Sequence, residues 1–539
     1  MTIFITLTLL FVALINYIPG SGGAGVTLPY NLTFIGWLGI VLILLSLRYQ
    51  KPGARATPQP LILVGGLLLL IPWLSQANTN PGVWVLLIAL ALWVGGMQIA
   101  FSDRHKRLAL QVIFVLGLAQ ALLCIIQSLY PQLAARLLEY NWLRNHGRPY
   151  GIFQQVNLVA SFMATSLGCG LVLFLNGPRR SLTFIYPAGL GLLTFCLALS
   201  QSRAGLLGAV LGITILVFIL GCSALSRTLI AILVMATCAA LGWYLTQHLH
   251  ILVNGEPWLL ARDYEASTHE RWNILVITWQ MIMQQPWLGW GYGSFEYEFS
   301  RYVLAHPELP YTYSSIVTHP HNELLYAWFQ GGIVALIGIL TLFAGWVMMV
   351  IRGWRHSREM AAYGVLIVPL LVHLNLEYPF YQSFVHFGLF LLLLRLGVVE
   401  TPAGEKAVRR FTGWQRGAVM FSGLALVLFS ATGLYANNQL TVLERSQFAH
   451  FPNPAPWYFA TQFERAQFDG MVARLMNYNI TRNEADLDVF MTQAEQWSKR
   501  HNDRNVWGSM MMITRFRGEH EKLARMQILY DQLFPPQPQ

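Results

Sequence analysis

Apolar residues in this chain run on for about 18 residues at a time, far past the two-residue alternation of a half-buried strand. A helix of that length crosses a bilayer core of about 30 Å. The missing alternation argues against a membrane β-barrel. The pattern predicts thirteen spans, near 3–18, 32–48, 61–75, 83–101, 108–129, 155–176, 182–200, 203–221, 227–246, 323–351, 361–377, 380–396 and 414–434. The first has no basic n-region and no A-x-A site, so it reads as a retained helix rather than a signal peptide. Two long segments interrupt the runs, 247–322 and 435–539. In the second, "FERAQFDGMVARLMNYN", "DLDVFMTQAEQWSKRH" and "EKLARMQILYDQLF" carry apolar residues at helical spacing. They predict a small soluble helical domain, ending in a disordered proline-rich "FPPQPQ".

The expected fold class is therefore an all-α polytopic membrane protein. Residues 1–246 form an N-terminal transmembrane bundle of nine helices. Residues 247–322 form a large loop, 323–434 the last four spans, and 435–539 the helical domain. Composition agrees: 55% of the 539 residues are hydrophobic and 11% charged, against about 25% charged in a soluble protein. Charge then orients the chain. With the N-terminus inside, seventeen Lys and Arg fall on cytoplasmic connections (among them Arg48, Lys106, Arg107, Arg352 and Arg395) and seven on the outer ones. The positive-inside rule selects N-in and C-out. The net charge of +10 is mostly this bias, and it gives no reason to expect nucleic acid as a partner. The five cysteines lie in apolar runs without CxxC spacing, so neither zinc nor a disulfide framework is expected.

This orientation gathers four polar stretches on the outer side: "NHGRPYGIFQQVNLVASF" (145–162), "SQSRAG" (200–205), "THERWNILVITWQMIMQQPWLGWGYGSF" (268–295) and "THPHNELLYAWFQGGIVAL" (318–336). Arg203 stands in a short turn between apolar helices. It either snorkels to the headgroups or binds an anion beside a helix N-terminus. Arg271 opens a stretch in which Trp272, Leu275, Val276, Trp279 and Met283 recur at helical spacing, predicting an amphipathic helix. It reads as an anion ligand or as a surface partner of Glu270 or Glu265. "GWGYGS" predicts a tight glycine turn. Arg148 lies near Gln154, Gln155 and Asn157, amides suited to sugar hydroxyls or to neighbouring helices. His319 and His321 flank Pro320, and Asn322 is a plausible N-cap for the tenth span. A histidine before a helix N-terminus is disfavoured in its charged form, and a neutral imidazole can take a proton. His-x-His with one distant acid does not fill a zinc site, so no metal and no cofactor is expected.

"SQSRAG", "ERW…PWLGWGYGSF" and "HPHNELLYAWFQGGIVAL", in that order, resemble the signature region of the O-antigen ligase superfamily. "GRPYGIFQQVNLVASF" and the helical tail look like its protein-glycosylating, PglL-type branch. One departure stands out: many relatives carry an acidic residue before the Gly pair, where this chain has Gln330. The resemblance implies a metal-independent oligosaccharyltransferase in the bacterial inner membrane, with its active site on the periplasmic face. The donor would be a glycan on undecaprenyl diphosphate, and the acceptor a Ser or Thr of a periplasmic protein or pilin. Arg203, Arg271 and Arg148 would bind the diphosphate, with Gln154, Asn157 and Asn322 as further substrate contacts. His321 would be the base, with His319 as second choice. Rival readings are a ligase acting on lipid A-core, a glycan polymerase, a transporter and a structural scaffold. A transporter usually shows internal repeats and midplane charges, and here the polar residues gather at one face instead.

Overall fold

A computed structural model describes residues 22–47, 54–75, 82–97, 101–177, 184–260, 265–309, 316–402, 413–448 and 450–534. The expected first span and the last five residues of the tail lie outside these. Among the described residues five stretches are long and apolar enough to cross a membrane: Asp103–Leu129, Val156–Asn176, Arg203–His248, Glu323–His356 and Arg416–Arg445. Five shorter apolar helices accompany them: Pro29–Leu44, Pro60–Leu74, Gly82–Gly96, Ile185–Ser200 and Phe384–Leu396. The stretch 203–248 is two helices, Arg203–Leu220 and Leu225–His248, joined by the 3-10 turn Gly221–Ala224. The expected span at 361–377 is interrupted, giving Arg358–Val365 and Val368–Leu374. Pro369 has no N–H to give the preceding turn, and the Trp346 indole takes the Gly364 carbonyl at 2.7 Å.

The chain divides into two compact units. The first comprises residues up to Leu63, Ile88–Asp263 and Leu342–Leu434. Its centre is the helix Val156–Asn176, buried along nearly its whole length. Polar connections of this unit fall into two sets. In one, the strand Ala54–Ala56 pairs antiparallel with Glu400–Pro402. There Arg395 meets Glu400 at 3.0 Å and donates to Gly96 O, Glu400 also accepts from Phe101 N, and Arg107 faces Glu359 at 3.7 Å. In the other set, Asn31 donates to Gly25 O and Gln382 O, Gln132 to Leu252 O, Gln201 to Leu260 O and Arg148 to Ser200 O. The helices Asp103–Leu129 and Phe384–Leu396 each run from one set to the other. A hairpin, His250–Val253 with Glu256–Leu259, follows the ninth expected span. It turns on Asn254 and Gly255, both at positive φ, the pairing that a two-residue type I′ turn demands.

The second unit comprises Val64–Leu87, Tyr264–Thr341 and Tyr435–Gln539. One core holds it together. Ile274, Ile277, Met281, Phe295, Phe299, Val317, Tyr326 and Phe329 pack with Met471, Phe490, Trp507 and Met510 of the C-terminal helices. Those helices are Phe463–Thr481, Glu484–Trp497, Arg504–Phe516 and His520–Leu533. The helix Glu265–Gln284 forms where its apolar spacing requires. Its buried face is Ile274, Ile277, Thr278, Met281 and Ile282, whereas Trp272 is 65% exposed and Trp279 and Met283 also face outward. The helix is apolar on two faces, so periodicity alone does not identify the inner one.

Candidate functional site

In the first unit the site begins with a held loop. Gln127 Oε1 accepts from Tyr150 N and Gly151 N, and Gln120 Oε1 from Ile152 N. Both glutamines are buried in Asp103–Leu129. This fixes the chain between Arg148 and Gln155. Arg148 donates through Nε to Ser200 O at 3.2 Å, a cation on a helix C-terminal carbonyl. The next helix starts at once: Ser202 Oγ accepts from Gly205 N at 3.2 Å and caps Arg203–Leu220. Arg203 is thus the first residue of a capped helix, and it is exposed. Arg148 is therefore bonded to the start of the turn that leads into Arg203.

A buried carboxylate lies behind that turn. Glu377, 6% exposed, accepts from Gln155 Nε2 at 2.9 Å and from Asn157 Nδ2 at 2.5 Å. The other end of Asn157 accepts from Ser202 Oγ at 2.6 Å. His373 lies 3.5 Å from Glu377 and 2.8 Å from Ser161 Oγ. Asn157 is therefore engaged by the protein at both ends of its amide. Gln154 is exposed at positive φ, and its neighbour Gln155 is the glutamine that reaches the carboxylate. Sequence reasoning missed Glu377, which closes an apolar run. An ionisable residue at the end of such a run is itself a functional signal.

The second unit carries the histidines. Asn322 Oδ1 accepts from Leu325 N at 3.0 Å and its carbonyl from Tyr326 N at 2.9 Å, capping Glu323–His356. His319 is buried and His321 half-buried, with ring centroids 4.2 Å apart. Burial, then His321, then the Arg271 guanidinium push the His319 imidazole down to about 2. His319 is therefore neutral at any physiological pH. Its Nδ1 lies 2.9 Å from Thr318 Oγ1. His321 has a left-handed backbone, φ 57°, uncommon for a residue with a side chain. His319, His321, Arg271 and Asn322 thus gather on one segment and its neighbour.

The glycine motifs belong to the same construction. Gly332 takes φ 65° and breaks the helix Glu323–His356. The Phe329 and Gln330 carbonyls would otherwise bond within the helix. They accept instead from Trp290 N at 2.6 Å and Gly291 N at 3.1 Å. Ile333 N in turn donates to Trp287 O at 3.2 Å. "PWLGWGYGS" and "WFQGG" are therefore two halves of one joint, which fixes the chain just after the histidines. Gln330 is buried here. Among the described residues no three His, Cys, Asp or Glu gather as a metal site would need.

One unit carries a capped turn with Arg203, the other carries a histidine pair beside a helix N-terminus, and the chain has apolar helices long enough to cross a membrane. Three family models match the chain: an O-antigen ligase model over residues 188–340, a membrane-bound virulence-factor polymerase C-terminal model over 360–517, and a protein glycosylation ligase model over 149–174. Together these matches support the O-antigen ligase/PglL-like superfamily as the family this chain resembles. No curated protein matches it. The first match spans Arg203, Arg271 and both histidines, and the third spans Gln155 and Asn157. The family indicates glycan ligase activity of the O-antigen ligase or PglL type.

Proposed function

We propose that the protein is an O-oligosaccharyltransferase that moves a glycan from undecaprenyl diphosphate to a Ser or Thr hydroxyl of a periplasmic protein, such as a pilin. The acceptor hydroxyl attacks the anomeric carbon, the bond from that carbon to the diphosphate oxygen breaks, and undecaprenyl diphosphate leaves. His321 takes the hydroxyl proton. A general base works best with a pKa near the operating pH, and His319, held near 2, is a poor base by that measure. Arg203, Arg148 and Arg271 bind the diphosphate and take up the charge that grows on it, since guanidinium forks match phosphate oxygens. They fill the role a metal plays elsewhere, so activity persists in excess EDTA.

The observation that carries this reading is the match of the protein glycosylation ligase model to 149–174, the segment that joins Arg148 to Gln155 and Asn157. The orientation proposed is N-in and C-out, with the active site on the periplasmic face of the inner membrane. The charge bias supports it. Alkaline phosphatase fused after Gln539 is then active, and fused after Arg355 inactive. Co-expression with a lipid-linked glycan pathway and a candidate pilin, followed by mass spectrometry, tests the reaction. Glycan on a Ser or Thr of the pilin supports the reading. Glycan on lipid A-core, or lengthened donor glycan with an unmodified pilin, overturns it in favour of a ligase or a polymerase.

A further inference from the structure

We infer that Glu377 is a positioning residue: its carboxylate sets the direction of a hydrogen-bond relay that runs through Asn157 and Ser202 to the turn bearing Arg203. The inference rests on the reading of Arg203 as a diphosphate ligand. It adds a residue and a device that the turn's own sequence does not contain.

An ionised carboxylate only accepts hydrogen bonds. Glu377 takes Asn157 Nδ2–H on one oxygen and Gln155 Nε2–H on the other. With an acceptor at that end, the Asn157 amide has one permitted orientation, and its carbonyl faces Ser202 Oγ at 2.6 Å. A carbonyl also only accepts, so the Ser202 hydroxyl proton is committed to it. The remaining lone pairs of Ser202 are left for Gly205 N–H, the cap of the helix that Arg203 opens. Each donor is assigned by the group before it, and the assignment starts at Glu377. The relay is sheltered: Ser202 and His373 are fully buried. His373 braces the carboxylate from behind, bridging towards Ser161 of the helix Val156–Asn176. Glu377 thus ties that helix and the turn between Ser200 and Arg203 to one anion. Asn157, occupied at both ends, acts as a link in this relay rather than as a ligand of sugar.

Glu377→Gln keeps the shape but can present an amide N–H to Asn157. The Asn157 amide then loses its bond or turns over, and the Ser202 hydroxyl loses its acceptor. The double variant Glu377→Gln with Asn157→Asp restores the direction. The amide introduced at position 377 then donates to the new carboxylate, its carbonyl still accepts from Gln155, and the residue at 157 again accepts from Ser202.

The experiment is steady-state kinetics of the purified full-length protein with undecaprenyl-diphosphate-linked glycan and an acceptor peptide. The donor KM and kcat are read for wild type, Glu377→Gln, the double variant, Ser202→Ala and Arg203→Lys. Glu377→Gln should raise the donor KM by roughly tenfold or more, the size of a lost charge-assisted hydrogen bond, and change kcat less. The double variant should recover most of that loss. Ser202→Ala, which removes only the last link, should shift the donor KM in the same direction, and it serves if Glu377→Gln fails to fold. An unchanged donor KM in Glu377→Gln and Ser202→Ala, or a double variant no better than the single, overturns the inference. Arg203→Lys separates the two levels. If it leaves the donor KM at the wild-type value, the reading of Arg203 has failed. If it raises donor KM while Glu377→Gln does not, only the relay has.

Discussion

The turn that carries Arg203 and the segment that carries His321 are held by opposite means. The first is fixed by polar saturation: buried amides, a capping serine and a carboxylate specify it bond by bond. The second is fixed by apolar burial and an unusual backbone. Val317 and Tyr326 anchor it in a core with the C-terminal helices, His321 sits at positive φ, and Gly332 breaks the following helix. The contrast follows from the chemistry each element is proposed to do. A cation that meets a diphosphate gains from a fixed direction, and directed bonds supply one. A base has to be held in one pose towards the proton it takes, and packing with a set backbone holds it there.

The histidine pair gives the sharpest way to break this account. His321→Ala should lower glycan transfer by about 10²–10⁴-fold, the usual worth of a general base, and His319→Ala by less. Because His319 sits near 2, it does not titrate near neutral pH. The acid limb of the pH–rate profile should therefore survive in His319→Asn. Its disappearance there would move the base to His319.

On the other side of the comparison, Arg203→Lys keeps the charge and loses the fork. Transfer should fall about tenfold or more, the worth of one charge-assisted hydrogen bond, and Arg203→Ala should be worse, at unchanged membrane levels. Full activity in Arg203→Ala would remove this residue from the site.

A smaller effect, on stability, tests the glycine joint. A Cβ at Gly332 would meet the Trp287 carbonyl, in a left-handed conformation besides. Gly332→Ala should lower the Tm of the detergent-purified protein by several degrees, in keeping with roughly 1–3 kcal/mol for strain of this kind. Gly413→Ala, where nothing lies within 4 Å, should leave Tm unchanged. Equal Tm values would show that the joint does not matter.

The smallest effect concerns the C-terminal helices that share the histidine segment's core. Burial first, then Glu444, lift the Asp469 carboxyl from 3.8 to about 7. Its folded pKa lies above its unfolded one, so the native state holds the proton longer, and stability falls as pH rises from about 4 to 7. Asp469→Asn should stabilise the helix Phe463–Thr481 against hydrogen exchange at a pH of about 8 and match wild type near pH 4. A gain that is the same at both pH values would contradict the shift.

Much of this is legible in the sequence, and the rest is hidden for definite reasons. Apolar runs reveal the helices because length and burial decide them, and Asn322 announces its cap by residue type. Arg203 stands out because a charge between apolar helices is costly. The hairpin at Asn254-Gly255 is readable from that dipeptide, although it lies unremarked in a long loop. The inner face of Glu265–Gln284 is not readable, since both of its stripes are apolar. Glu377 escapes notice because it ends an apolar run and its partners, Gln155 and Asn157, lie more than 200 residues away. The link between "GWGYGS" and the Gly pair is a backbone pairing, which side-chain patterns do not announce.

The central claim is that this chain moves a glycan from a lipid diphosphate to a protein hydroxyl, with His321 as the base. The direct measurement is transfer by the purified protein from undecaprenyl-diphosphate-linked glycan to a serine-bearing acceptor, in excess EDTA, read by mass spectrometry. The account predicts glycopeptide from wild type and, from His321→Ala, a rate lower by about 10²–10⁴-fold. Glycopeptide formed at equal rates by the two, or none from wild type until a divalent metal is added back, would contradict it.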